Sequence, residues 1–182
     1  MSRRLQLIVR HISVGIIMTS FCACGVLIGN VKPVAEKSND YGVLDLSKEN
    51  KDWERLDSRE NAEAEITDIS YQSHRTASSV TLNSACRESL KARSQPLNNY
   101  TKSLLLGITD IDQKEEQEIT VNGVPALQTT VQGKMNNEPI KLRAVVIKKD
   151  DCLFDLIYVA RPQHFPEQEN DFTRFVQSLR LK

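Results

Sequence analysis

Four cysteines, three histidines and a few placed carboxylates are the side chains of this 182-residue chain that could do chemistry. Cys86 and Cys152 have no neighbouring His or second Cys at metal-ligand spacing, so neither belongs to a zinc site. Their available chemistry is oxidation to one another or inert burial as two small apolar thiols. His11, His74 and His164 each stand alone in sequence, without a partner at the spacing of a metal site or a catalytic pair. Ser78-Ser79 and Ser84 have no adjacent base, and no Gly-x-Ser-x-Gly elbow occurs. The glycines are too few and dispersed for a phosphate-cradling loop. Asp110 and Asp112 form an Asp-x-Asp, but the Gly and Glu that would continue a calcium loop are absent, and the pair reads as an acidic connection. Asp155 sits inside an apolar run, so it either points to a polar face or is buried and paired, with Arg143 as a candidate; the first reading leads. No catalytic residue, metal ligand or cofactor-binding residue is expected, and the chain is read as non-enzymatic.

Cys22 and Cys24 lie in a different setting. Arg3, Arg4 and Arg10 precede the apolar run Ile12-Ser13-Val14-Gly15-Ile16-Ile17-Met18, no acid occurs before Glu36, and Phe21-Cys22-Ala23-Cys24-Gly25 follows. A positive start, a short apolar stretch and a small residue before a cleavage point make an export signal. Phe21 and Ala23 stand three before and just before Cys24, in a pattern that resembles a lipobox, which makes Cys24 the expected lipidation site. Diacylation plus an N-acyl chain suffices for stable membrane attachment. Two other readings stay open. Residues Ile12 to Val31 form 20 consecutive uncharged positions, about the ~20 that span a bilayer, and an ordinary cleaved signal would release a soluble domain. Ser2-Arg3-Arg4 also resembles a twin-arginine address, with Gln6 where that motif carries an aromatic. All routes send the domain out of the cytoplasm. Gly25, rather than Asp, follows the cysteine and favours the outer over the inner membrane.

Export decides how the remaining cysteines are read. In an oxidising compartment Cys86 and Cys152 are expected to form a disulfide. The bridge would close a loop of 66 residues, worth about 4 kcal/mol in the chain-entropy model. Three arginines leave with residues 1–23, so 21 basic residues face 24 acidic ones in the remainder, a net of −3. An evenly mixed, faintly acidic surface does not suit nucleic-acid binding, which needs a basic stripe.

The elements that would position these residues follow from pattern. Residues 24–51 are polar and turn-prone and read as a flexible tether. A single domain is expected over 52–182, opening at Trp53-Glu54-Arg55-Leu56. Ile66–Tyr71 and the alternating Val80, Leu82, Ser84, Cys86 predict two strands, joined through Ser73-His74-Arg75-Thr76. Pro96 starts a helix in which Leu97, Tyr100, Leu104, Leu105 and Ile108 share one face, with Gly107 near its end. A four-strand meander comes next. Asn122-Gly123 is a two-residue hairpin turn after Glu118-Ile119-Thr120-Val121, Asn136-Asn137 turns the chain again, and Lys149-Asp150-Asp151 turns it into Cys152–Val159, apolar enough to be central. After Pro162 and Pro166, Phe172, Phe175, Val176 and Leu179 fall at helical spacing, with acids early and Arg180 and Lys182 late, as the helix dipole prefers. The class is α+β, about six strands in the order ββ-α-ββββ-α, with an optional short strand at Trp53.

That order, with Trp53-Glu54-Arg55, Asn122-Gly123, Ala126-Leu127-Gln128-Thr129-Thr130-Val131, Asp155-Leu156-Ile157-Tyr158 and the closing Phe172…Phe175-Val176…Leu179 helix, resembles the PsbP-like fold. Over residues 52–182 it is similar to small bacterial lipoproteins of unknown function that share this fold. The resemblance implies an antiparallel sheet flanked by helices and a binding or assembly role; it implies no catalytic residues. The expected function is therefore that of an exported lipoprotein without enzymatic activity, held to the membrane by its lipid and binding an envelope protein as an accessory subunit. The alternative is a periplasm-facing binding protein for a small apolar or amphipathic ligand. A filled core favours the first and a preformed cavity the second.

Overall fold

A computed structural model describes residues 41–56, 68–86 and 95–181, all within one compact unit, Ala35–Lys182. The chain runs through β1 (Tyr41–Gly42), α1 (Leu46–Glu49), β2 (Trp53–Arg55), β3 (Ile69–Ser73), β4 (Ser79–Cys86), α2 (Leu97–Leu104), β5 (Ile108–Val121), β6 (Val124–Met135), β7 (Glu138–Lys149), β8 (Cys152–Ala160), α3 (Phe165–Ser178) and β9 (Arg180–Leu181). Seven strands form one antiparallel sheet in the order β2-β3-β4-β8-β7-β6-β5, and β1 pairs with β9 separately. The expected meander is β5 to β8, and its last strand is central. Nine strands replace the expected six, because β2 is a true edge strand and the two-residue β1 and β9 have too little sequence to carry a period.

Alternation along the central strands divides the core between two faces. Val145 and Ile147 of β7 and Phe154, Leu156, Tyr158 and Ala160 of β8 pack with Phe165, Phe172, Phe175, Val176 and Leu179 from α3 and its end. Leu142 and Ala144 of β7, with Ile157 and Val159 of β8, face the other way and meet Leu104 and Leu105 at the end of α2. The α3 side is filled by aromatic rings: Tyr158 stacks on Phe172 at 5.6 Å and leans on Phe165 at 4.7 Å, while Tyr71 meets Phe175 edge-on at 6.0 Å. Such pairs add about 0.5–1.5 kcal/mol each beyond their buried area. Burial pushes the Tyr158 phenol up to about 12, and its hydroxyl donates to the Phe165 carbonyl at 2.9 Å.

Turn chemistry sets the register. Asn122 and Gly123 have φ of 49° and 84°, and Asn136 and Asn137 of 50° and 70°; two successive positive φ values are the twist that short hairpins need. Asn122 also reaches α3, its Nδ2 donating to the carbonyls of Gln177 and Leu179 at 2.9 and 2.5 Å. The hairpin tip thus satisfies carbonyls that the end of the helix leaves open.

Three expectations change. The stretch assigned to a tether, 24–51, is folded from Tyr41 onward, and Leu46 is fully buried; its earlier residues lie outside the described ones. Asp45 caps α1 by accepting from the Ser47 N–H at 3.2 Å. α2 ends at Leu104, and Ile108 belongs to β5: with φ of 89°, Gly107 turns the chain before the next helical period closes. Asp110 and Asp112 do not form a connection: they lie inside β5, at an irregularity between Thr109 and Gln113. This kink sits on Gly133, where any Cβ would lie 2.7 Å from the Thr109 carbonyl oxygen. Only glycine admits so close an approach.

Candidate functional site

β5 is the longest strand, with 14 residues, and it forms one edge of the sheet. Thr109 through Glu118 are ten consecutive exposed residues. No described strand lies beyond β5, so its outer backbone N–H and C=O groups face outward without a strand partner among the described residues. An edge of this kind is a template for strand addition. The opposite edge, β2, has only three residues.

The β5 edge is strongly acidic. Asp110, Asp112, Glu115, Glu116 and Glu118 stand against one base, Lys114, a net of −4. Lys134 Nζ reaches Asp110 at 3.0 Å and Lys114 Nζ reaches Glu116 at 3.1 Å; such exposed pairs contribute little to stability. Two apolar side chains sit at the same end, Ile111 on the kink and Leu106 just before the strand, 43% and 79% exposed. Beside the other end of β5, a cleft of about 890 Å³ opens between the start of α2 and the β5–β6 hairpin. Pro96, Leu97, Ile119 and Leu127 supply apolar walls, and Glu116 and Glu118 come from the edge itself. Edge and cleft therefore form one continuous surface: backbone groups to pair a strand, acids to select its charge, and a cleft to take a side chain.

The chemically interesting residues fall elsewhere. Cys86 and Cys152 are directly opposite on neighbouring β4 and β8 and are joined by a disulfide, with Cα atoms 4.1 Å apart. Cys24 and His11 lie outside the described residues. Asp155 is buried on the α2 side of the sheet and accepts from Asn83 Nδ2 at 2.8 Å. Asp155 is therefore buried and paired instead of pointing to a solvated face, but its partner is Asn83 and not Arg143, which lies on the opposite face beside Tyr158 and pairs with Glu169 at 2.6 Å. Burial raises the Asp155 carboxyl, helped by nearby Asp68 and opposed by the Asn83 bond. His74 and His164, 90 residues apart in sequence, are brought to one recess at the end of the sheet. Among the described residues, no three His, Cys, Asp or Glu side chains are grouped to hold a metal ion.

One buried polar network was not legible in sequence. Gln168 of α3 donates from Nε2 to Asp52 Oδ2 at 2.5 Å and to Ser73 Oγ at 2.7 Å, and its Oε1 accepts from Thr76 Oγ1 at 2.8 Å. Asp52 also accepts from Ser73 Oγ at 2.9 Å and the Arg75 N–H at 3.0 Å. Burial would raise the Asp52 carboxyl, but these bonds outweigh it and hold it below the usual range. The network locks the Ser73–Ser78 turn onto α3. The only signal was a glutamine at an apolar helical position.

No family model matches this chain, and no curated protein matches it. Solved structures do. The solution structure of cyanobacterial PsbP, CyanoP, from Synechocystis sp. PCC 6803 aligns with TM-score 0.55 at 10% identity, covering 85% of this chain and 96% of that one. The crystal structure of LpqN of Mycobacterium tuberculosis, described as involved in cell envelope biogenesis, aligns with TM-score 0.55 at 12% identity, covering 84% and 87%. The fold is PsbP-like. At these identities the likeness extends to architecture alone.

Proposed function

We propose that this protein is exported, anchored through Cys24, and serves without catalysis as an accessory subunit of an envelope assembly, binding a protein partner along β5. The partner contributes an extended segment carrying Lys or Arg, which adds to the sheet as an eighth strand. One observation carries the reading: ten consecutive exposed residues on a 14-residue edge strand whose charges are almost all negative. An acidic edge repels a second copy of itself and favours a basic strand, so charge sets the choice of partner. The disulfide supports the exported compartment, and the structural neighbour LpqN is described as involved in cell envelope biogenesis. The filled aromatic core under α3 leaves no room for a small ligand between α3 and the sheet.

Reversing the edge tests the reading. The variant Glu115→Lys/Glu116→Lys/Glu118→Lys alters exposed side chains only, so it is expected to fold and keep its disulfide. Native electrophoresis of solubilised membranes is expected to place the wild type in a larger complex and the variant at its own size. Equal migration of the two proteins, in a complex or as monomers, would overturn the proposal.

A further inference from the structure

At one end of the sheet, two chain reversals, the turn Ser73–Ser78 and the link Arg161–His164, and the start of β7 border an open recess of about 380 Å³. Ile140, Val159 and Ala160 give it an apolar floor. Four nitrogen-bearing side chains surround that floor, His74, Arg75, Arg161 and His164, and no carboxylate lines it. The carboxylates that hold three of the four stand outside the lining. Glu167 takes His164 at 2.7 Å and Arg75 at 3.6 Å, Asp52 takes Arg75 at 3.4 Å, and Glu54 takes His74 at 3.8 Å. Among the described residues Arg161 makes no ion pair, and it is exposed.

From this geometry we infer a binding site for a small organic oxyanion, a carboxylate or phosphate monoester bearing a short apolar group. The apolar part covers Ile140 and Val159, and the oxyanion sits among the guanidinium and imidazole groups. Arginine suits the anionic end because its planar fork donates two parallel hydrogen bonds to such groups. The walls are preorganised. The Asp52–Ser73–Thr76–Gln168 network clamps the turn that carries His74 and Arg75 to α3, and the Arg161 carbonyl accepts from the N–H groups of His164 and Phe165, both at 3.0 Å, fixing the second wall. Ordering already paid in the fold need not be met on binding. The proposal is independent of strand addition at β5 and stands if that edge binds nothing.

Butyrate and butyl phosphate are suitable probes, with butanol and butylamine as controls, added to the full chain purified from membranes. The ring resonances of His74 and His164, the two histidines that remain once residues 1–23 are removed, report binding. Butyrate or butyl phosphate is expected to shift both rings saturably, and the stronger of the two identifies the oxyanion. Neither control is expected to do so. Arg161→Gln is expected to weaken binding by at least about tenfold, as for loss of a charged hydrogen bond, and Arg161→Lys to recover only part of that loss, because an ammonium restores the charge without the fork. Because Arg161 is exposed, neither variant threatens folding. The absence of a saturable shift, an equal response to butanol, or unchanged affinity in Arg161→Gln would overturn the inference.

Discussion

Gln168 occupies a position where the apolar stripe of α3 would otherwise continue, between Phe165 and Phe172, and it is 1% exposed. Its amide makes three hydrogen bonds, to Asp52, Ser73 and Thr76, that a leucine could not make, which is why a buried polar residue is tolerated there. Asp171 acts in the same way one turn further on. Burial pushes its carboxyl up, but bonds from Trp53 Nε1 at 2.9 Å, Asn50 Nδ2 at 3.0 Å and Arg174 outweigh that and hold it below the usual range. Asp155 is the opposite case, because one bond from Asn83 does not offset its burial. The signs for stability then differ. Asp52 and Asp171 contribute stability that is present above the ordinary carboxylate range and lost as pH falls through their lowered values. Asp155 keeps its proton to higher pH in the fold than in the unfolded chain, so its contribution falls as pH rises through its raised value. Asp155→Asn is therefore expected to resist urea better than the wild type at neutral pH, with the gain shrinking in acid. A variant no more stable than the wild type at neutral pH would contradict this. At this scale the sequence was least informative: alternation places Asp155 opposite its apolar neighbours, but not under what covers that face.

Elements were far more legible. Asn122-Gly123 and Asn136-Asn137 announce hairpins because few other residues adopt two positive φ values in succession; the period of two in β6 and early β7 marks one face covered more than the other, and it fades at Ala144–Ile147, where both faces are covered. α1 escaped notice because four residues with one buried leucine have no period to detect. Asp110 and Asp112 read as a connection in the sequence because the kink and the charged residues of β5, exposed on both faces, erase alternation from Asp110 to Glu118. The Cys86–Cys152 pairing followed from the compartment, and the sheet supplies the reason it forms: β4 and β8 set the two residues directly opposite one another. Replacing both by serine is expected to lower unfolding stability by about 2–4 kcal/mol, the usual range for a lost disulfide, read from urea unfolding at equilibrium. An unchanged midpoint would show that sheet pairing alone holds these strands together.

Across the whole domain, the two sides of the sheet are unequal. The α3 side is closed by interlocked aromatics, and β1 and β9 pair there, with Tyr41 opposite Leu181 and packed on Phe154 at 5.9 Å. α2 packs on the other side against β6 and β7, leaving β5 as a long, exposed and acidic margin. A domain so filled, with its chemistry spent on holding turns and helices in place, has its largest free resource in that margin. Strand addition makes a geometric demand that a general surface contact does not: on a paired strand, side chains at alternate positions contact the partner in the same way. The most direct measurement is a photo-crosslinker scan in living cells, one residue at a time from Thr109 to Glu118, with Thr173 and Gln177 on the exposed face of α3 as controls. The account predicts adducts to one envelope protein along β5, rising and falling with a period of two and lost in the Glu115→Lys/Glu116→Lys/Glu118→Lys background. Adducts of equal yield on α3, or none along β5, would contradict it.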